Sequence, residues 1–450
     1  MRRIIVYVSA FVFFITLLVW VFSRFVQSII PTSVNADLVL FVTALLSVTA
    51  FLGNLNEAIE LFHKIFSRKT STTSQMHQPL STVNLTTSQD SSNSQQIVVK
   101  TNQTQISTQA NRSPYFSSVG NLKVGRYHHM SCLLPDGNVL IAGGYNQESI
   151  ESKVLASVEL YRPSSREVVS LGKMMSRRYF ASAAVLPNGA VLVTGGAGEN
   201  GETLDTAELY SPQTGQFTVA GHMTSPRRGH VAVSLRNGKI LLMGGSANAA
   251  LNTAEVYDPI QNVFSPTGNL NVARLTEHTP NAVLLKDGRV LVAGGYDGIT
   301  GEIASIEIYD PNKGVFEDGG SMAVRRAAHT LTVLANGKVL IAGGYEESAK
   351  YLSSAEIYDP ITRGSTLTQP MKEPHFHHTA TLLPNGKVLV VGGNSSLIEL
   401  FDPETEMFSV LGALDHSRSL HTAALLPSHQ VLLIGGVGSL TSLDLSPVFE

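Results

Sequence analysis

The sequence predicts an all-β fold built from seven repeated units, and three observations carry that expectation. Gly-Gly pairs recur at 143/144, 195/196, 244/245, 294/295, 343/344, 392/393 and 435/436. Each stands six residues after a tight-turn position: Gly137, Gly189, Gly238, Gly288, Gly337, Gly386 and His429. Between turn and pair runs a short segment rich in Val, Leu and Ile, such as Lys338 to Ala342, of the kind that suits a strand buried on both faces. One unit of about 50 residues cannot bury its own apolar faces, so a fixed period implies neighbours stacked on one another.

The elements of the unit follow from local chemistry. Asn188-Gly189, Asp287-Gly288, Asn336-Gly337 and Asn385-Gly386 supply the φ > 0 residues of a tight hairpin between the first two strands. Paired glycines end the second strand and let a neighbouring backbone or ring come close. A third strand ends at Asp258-Pro259, Asp310-Pro311, Asp359-Pro360 and Asp402-Pro403, where proline stops the pairing. That strand carries an aromatic at Tyr161, Tyr210, Tyr257, Tyr309, Tyr358 and Phe401, and a fourth carries Phe217, Phe264, Phe316 and Phe408.

This pattern resembles the kelch repeat, over residues 114–450. The resemblance implies a seven-bladed β-propeller of four-stranded antiparallel blades, with the first strands lining a central channel. It also implies that the loops after each Gly-Gly share a face with the connections between blades. It names no activity, since propellers serve enzymes, adaptors and receptors alike.

Each block opens on Arg-x-x-His or a remnant of it, expected on the first strand: Arg126 and His129, Arg227 and His230, Arg326 and His329, Arg418 and His421. Block two keeps Arg178 with Ala181, block four keeps Arg274 with His278 at altered spacing, and block six has His375 in the arginine slot with His378 in register. A residue repeated in blade after blade points to a structural task, such as bonding to the next blade's backbone or to Glu255, Glu307 and Glu356.

Composition bounds the function. A net charge of -3, with no basic block longer than a pair inside the repeats, argues against a nucleic-acid partner. The single Cys132 excludes an intrachain disulfide framework and a Cys-based zinc site.

Ahead of the repeats, Ile4 to Phe22 are apolar but for Ser9 and Thr16 and would span about 29 Å as a helix, the thickness of a bilayer core. Leu38 to Leu55 read as a second span. Basic flanks at Arg2-Arg3 and at Lys64, Arg68 and Lys69 then place both ends of the hairpin, and the propeller, on the cytoplasmic side; a single span would place the propeller outside. Residues 1–69 are thus expected to be a membrane anchor in contact with lipid. Residues 70–113 are dominated by Ser, Thr, Asn and Gln and read as a disordered tether with a reach on the order of 35 to 40 Å.

Recognition is expected on the loop face, where loop length varies and charge is mixed. The candidate residues are Tyr145, Asn146, Glu148, Glu199, Glu202, Arg227, Arg228, Tyr296, Asp297, Arg325, Tyr345 and Glu346. The expectation is a membrane-tethered binding module for a protein or a glycan, without catalytic residues, cofactor or metal. Two clusters bear on an enzymatic alternative. His375, His377 and His378 would place two imidazoles on one side of a strand. His128, His129, Cys132 and Tyr179 are similar to parts of the site of galactose oxidase-like copper radical oxidases, which also use a kelch-type propeller with a cysteine-linked tyrosine. In repeat register, however, Phe180 and not Tyr179 holds the matching position.

Ring closure is the final expectation. After a third strand near Ser442 to Leu445 no room is left for a fourth, while Tyr115 to Val119 precedes block one as a fourth strand would. The last blade is therefore expected to combine both ends of the repeat region.

Overall fold

The apolar runs before the glycine pairs become the second strands of four-stranded antiparallel sheets, and these strands are fully buried in every sheet. The computed structural model describes residues 117–276, 281–346, 350–438 and 442–446, all within the unit Thr104–Glu450. The expected spans at 4–22 and 38–55 and the linker at 70–113 lie outside the described residues. Among those described, no helix is long and apolar enough to cross a membrane.

The described residues form an all-β propeller. In the first sheet Met130–Leu133, Val139–Ala142, Ser157–Arg162 and Glu167–Lys173 pair in chain order, and the sheets over 182–222, 231–266, 282–321, 330–367 and 378–413 repeat that order. A further sheet runs Ser117–Asn121, Ser442–Ser446, Val431–Ile434, Thr422–Leu425, so its outer strand comes from the other end of the repeat region. Ser117 stands opposite Leu445 and Asn121 opposite Ser442, with a register shift between Ser118 and Gly120.

Alternation along each second strand sends side chains into two different cores, one on either side of the sheet. Val139 and Ile141 pack with Tyr161, Leu432 and Ile434 between the first sheet and the sheet that holds the chain ends. Leu140 and Ala142 pack with Leu160, Val191 and Val193 between the first and second sheets. Burial of each such aliphatic side chain contributes roughly 1.5–3 kcal/mol. The aromatics of the third and fourth strands meet as cross-strand pairs: Tyr257 with Phe264 at 4.8 Å, Tyr309 with Phe316 at 4.9 Å and Phe401 with Phe408 at 4.8 Å between ring centroids.

Consecutive sheets are joined by a repeated backbone bond. The second glycine of each pair donates its N–H to the carbonyl of the arginine-slot residue in the next sheet. The bonds are Gly144 to Arg178, Gly196 to Arg227, Gly245 to Arg274, Gly295 to Arg326, Gly344 to His375, Gly393 to Arg418 and Gly436 to Arg126, at 2.6–2.9 Å. The first glycine is obligatory at the same contact: a Cβ on Gly143, whose φ is 63°, would lie 2.6 Å from the carbonyl oxygen of Arg178.

The Arg-x-x-His motif lies just before the first strand, not on it as expected. The residue between the two, at His128 (φ 53°), Phe180 (58°), Gly229 (59°), Ala328 (51°), His377 (50°) and Leu420 (58°), is left-handed, and this breaks the extended backbone. Each arginine is buried in its own sheet. Arg126 Nη1 donates to the carbonyl of Gly143 at 2.8 Å and Nη2 to Glu159 Oε1 at 2.6 Å. Glu159 also accepts the N–H groups of Lys123 and Val124, which fastens the incoming connection. Arg178 with Glu208, Arg227 with Glu255, Arg274 with Glu307 and Arg326 with Glu356 repeat the pair at 2.6–2.8 Å. Burial lowers the affinity of each of these guanidinium groups for its proton, and the carboxylate partner opposes that shift.

The histidines act between sheets. His129 Nε2 meets the Thr422 hydroxyl at 3.0 Å, His230 meets Thr194 at 2.8 Å, His378 meets Thr330 at 2.9 Å and His421 meets Thr379 at 3.0 Å. Each ring also lies against the first glycine of the preceding sheet, so a Cβ on Gly392 would lie 2.5 Å from His421. The second sheet has Ala181 in this slot, and there the Met130 and Met174 methyls fill the space beside Gly143.

Candidate functional site

First strands of six sheets, together with Thr276, line a cavity of about 330 Å³, with Ser131, Ser182, Thr276, Thr330, Thr379 and Thr422 hydroxyls among small apolar groups. At the end where the left-handed residues sit, it is lined by His128 and His377. No lysine, arginine, aspartate or glutamate is among the lining residues. His128 is pushed down to about 3 by burial and then by His377, so it is uncharged at neutral pH.

The left-handed conformation has a purpose in the ring. It turns the N–H and C=O of these residues along the circumference. Gly229 donates to the Phe180 carbonyl at 2.9 Å, Thr276 to Gly229 at 3.0 Å, His377 to Ala328 at 3.1 Å and Leu420 to His377 at 3.1 Å. One step outward, in six of the sheets, the residue after the arginine slot bridges the residue after the next Gly-Gly: Tyr127 with Tyr145, Tyr179 with Ala197, Arg228 with Ser246, Leu275 with Tyr296, Ala327 with Tyr345 and Ser419 with Val437. These bridges form a collar around the mouth, and they place the Gly-Gly loops and the inter-sheet connections on one face.

The collar is aromatic on two sides. Between the first and second sheets Tyr127 lies 5.4 Å from Tyr145, Tyr145 lies 5.4 Å from Tyr179, and His128 lies 4.3 Å from Phe180. Burial, then the neighbouring phenols of Tyr145 and Tyr179, push the Tyr127 hydroxyl up, so Tyr127 keeps its proton at neutral pH. At the sixth sheet Phe376 stacks on Tyr351 at 4.1 Å and 4°, with Tyr345 edge-on at 6.4 Å.

The structure assembles part of the expected recognition set here. Tyr145, Arg228, Tyr296 and Tyr345 are half-buried collar residues. Outside them lie Glu148, Glu199, Glu202 and Arg325, all exposed. Asn146 and Asp297 organise their own loops: Asn146 Oδ1 accepts the Glu148 N–H, and Asp297 Oδ1 accepts those of Ile299, Thr300 and Gly301. Glu202 caps the Asn200 N–H, and Glu346 pairs with Lys350 at 3.0 Å. Arg227 is a correction. It is 0% exposed and belongs to the Arg–Glu pairs, so the surface cation of this Arg-Arg dipeptide is Arg228 alone. Arg177 links the first two loops through Glu151 at 3.1 Å and Glu199 at 3.3 Å.

The enzymatic clusters come apart. His375 bonds Glu399 and His378 bonds Thr330, while His377 lines the cavity and His375 does not, so His375 and His377 do not share one side of a strand. Cys132 packs in the core between the first two sheets, and burial pushes its thiol up to about 12. Tyr179 stands in the collar, at the repeat position of Tyr127 and outside that core. These residues do not fit a cysteine-linked tyrosine at a copper ion. Among the described residues no group of three or more His, Cys, Asp or Glu side chains converges as metal ligands would.

Comparison with known proteins agrees with this architecture. A solved fungal alcohol oxidase of the AA5 family, in complex with copper, superposes with a TM-score of 0.59 at 20% identity, covering 73% of this chain and 76% of that one. At that identity the likeness carries the fold alone. No curated protein matches the sequence. The KLHDC2/KLHL20/DRC7 Kelch-repeats domain matches residues 86–295, and the Kelch motif matches residues 279–323 and 326–363. Those matches fall on the glycine pairs, buried arginines and cross-strand aromatics that build the sheets, and the chain is therefore a kelch-repeat protein.

Proposed function

We propose that the chain is a membrane-tethered interaction module that binds a protein partner at the aromatic collar. In this reading residues 1–69 anchor it through two helices, residues 70–113 form the tether, and residues 114–450 form a propeller of seven blades closed by a strand from each end. The observation that carries the binding site is the collar. Aromatic rings held on a rigid backbone ring, beside an uncharged cavity and within a rim of Glu148, Glu199 and Arg228, are the type of surface on which binding energy concentrates.

Crosslinking in native membranes, followed by identification of the captured molecule, tests the site. Replacing Tyr145 and Tyr345 together by serine should weaken capture by about 2 kcal/mol or more, roughly thirtyfold, as expected for aromatic anchors. Lys239→Gln, on the opposite face, should leave capture unchanged. Equal capture by all three chains removes the collar from the account, and capture of a glycan alone changes the partner class. Stoichiometric copper in the purified protein, with an absorbance lost in Cys132→Ser, would replace the binding reading by an oxidase.

The basic flanks of the two apolar runs support a cytoplasmic propeller. A membrane-impermeant thiol reagent should therefore miss Ser92→Cys in intact cells and label it after lysis. Labelling in intact cells would mean one span and an external propeller.

A further inference from the structure

The sixth sheet is the place where the repeated arginine is a histidine, and His375 takes over both arginine contacts. It is 0% exposed. Its Nδ1 lies 2.6 Å from the Gly392 carbonyl oxygen and its Nε2 3.0 Å from Glu399 Oε1. In the first five sheets Nη1 and Nη2 of the arginine reach the same two groups. A carbonyl oxygen can only accept. Glu399 acts as an acceptor too: Lys372 N–H donates to its Oε2 at 2.8 Å and its Oε1 at 3.1 Å, and Glu373 N–H reaches Oε1 at 3.3 Å. Burial alone would raise the Glu399 carboxyl, yet the bond from His375 and these backbone N–H groups hold it below the usual carboxylate range.

A neutral imidazole has one N–H and one lone pair, so one of the two contacts would set lone pair against lone pair. We infer that His375 carries both ring protons in the folded protein, as an imidazolium. The sixth sheet is thus held by a charge that alkali removes, where the other sheets use a guanidinium that stays charged.

The groups around His375 leave this assignment in place. His378, at the head of the first strand, has its ring 5.8 Å away and is held neutral by burial, then by His375 itself. Glu373 in the same connection is engaged by the Ser395 hydroxyl. Arg326 and Arg418 occupy the same slot in the flanking sheets, and Arg326 is paired with Glu356.

Loss of the proton leaves either Gly392 or Glu399 without its donor, and the effect reaches the collar through a short path. The His375 carbonyl accepts Gly344 N–H at 2.7 Å, Phe376 stacks on Tyr351, and His377 holds Ala328 and Leu420 around the mouth. Rising pH therefore loosens residues 375–377 and one aromatic side of the collar. The consequence for partner binding rests on the proposed function, whereas the proton does not, and the test reads it with no partner present.

The full-length protein in detergent, labelled with ¹⁵N at histidine, gives the answer directly. At pH 7.5 both His375 nitrogens should resonate as protonated imidazolium nitrogens, assigned by their disappearance in His375→Arg. Between pH 7 and 9.5 the amides of Gly344 and His377 should lose protection from hydrogen exchange about tenfold beyond the base-catalysed increase, and His375→Arg should abolish that excess. A lone-pair nitrogen on His375 at pH 7.5, or an equal loss of protection in His375→Arg, overturns the inference. If His375→Arg fails to fold, the wild-type nitrogen signals, assigned with His375→Gln, still decide it.

Discussion

Deleting residues 114–119 should lower the unfolding midpoint of the propeller by about 10 °C or more, because it strips the edge from the sheet that joins the chain ends. Ser117–Asn121 is the partner of Ser442–Ser446, and the core behind that sheet uses Leu122, Leu426 and Leu432 together with Val139 and Tyr161 of the first sheet. An unpaired Ser442–Ser446 would loosen Gly436 and with it the bond to the Arg126 carbonyl that links the last sheet to the first. Deleting residues 70–110 should leave the midpoint unchanged. Equal midpoints for the two deletions, measured by circular dichroism or calorimetry, would mean that the ring is held by other means.

Acid should unfold the protein well before its carboxylates titrate. His329 and His421 are pushed down to about 3, chiefly by burial and then by Arg326 and Arg418 respectively. His129, His230 and His378 lie well below the ordinary imidazole value for the same first reason. Geometry agrees: in His129, His230, His378 and His421 the Nδ1 atom faces no hydrogen-bonding group, which a lone pair tolerates better than an N–H would. The unfolded chain takes up these protons near pH 6.5 while the folded chain refuses them, so the stability they confer is complete above pH 6.5 and is lost as pH falls toward 3. Each contributes about 1.4 kcal/mol per pH unit, and five together remove roughly 10 kcal/mol between pH 6.5 and 5, comparable to the whole stability of a domain. Urea unfolding at pH 7.5, 6 and 5 measures the slope. A dependence of less than one proton across that interval would contradict neutral, buried rings.

Much of this architecture is legible in the chain because the same local problem is solved repeatedly. The glycine pairs mark where a carbonyl and an imidazole press on the backbone, and the Asn-Gly and Asp-Gly turns mark the hairpins on the far face. The collar is not legible in that way. His128, Phe180, Ala328, His377 and Leu420 share a left-handed backbone but no side-chain chemistry, and Gly229 alone announces it. The conformation is imposed by bonds to the neighbouring sheet, which no local propensity encodes. Arg227 is legible as a buried arginine from its spacing to His230, while its neighbour Arg228 gives the pair the look of a surface patch. The pairing of Arg126, Arg178, Arg227, Arg274 and Arg326 with a glutamate on the third strand of the same sheet follows from register, since Ile141 stands opposite Glu159 and Ile341 opposite Glu356.

The shared sheet also sets a timetable for synthesis. Ser117–Asn121 leaves the ribosome long before Ser442–Ser446, and at about 5–20 residues per second the roughly 320 residues between them take on the order of 15 to 65 s to translate. Through that interval the early strand has no partner, and the first sheet has no neighbour on one flank. Val139 and Ile141 then face water instead of Leu432 and Ile434. A nascent chain of this kind presents an unpaired edge and an apolar flank for the whole of its elongation, so it depends on chaperones most at its beginning, and pauses near its end prolong that exposure.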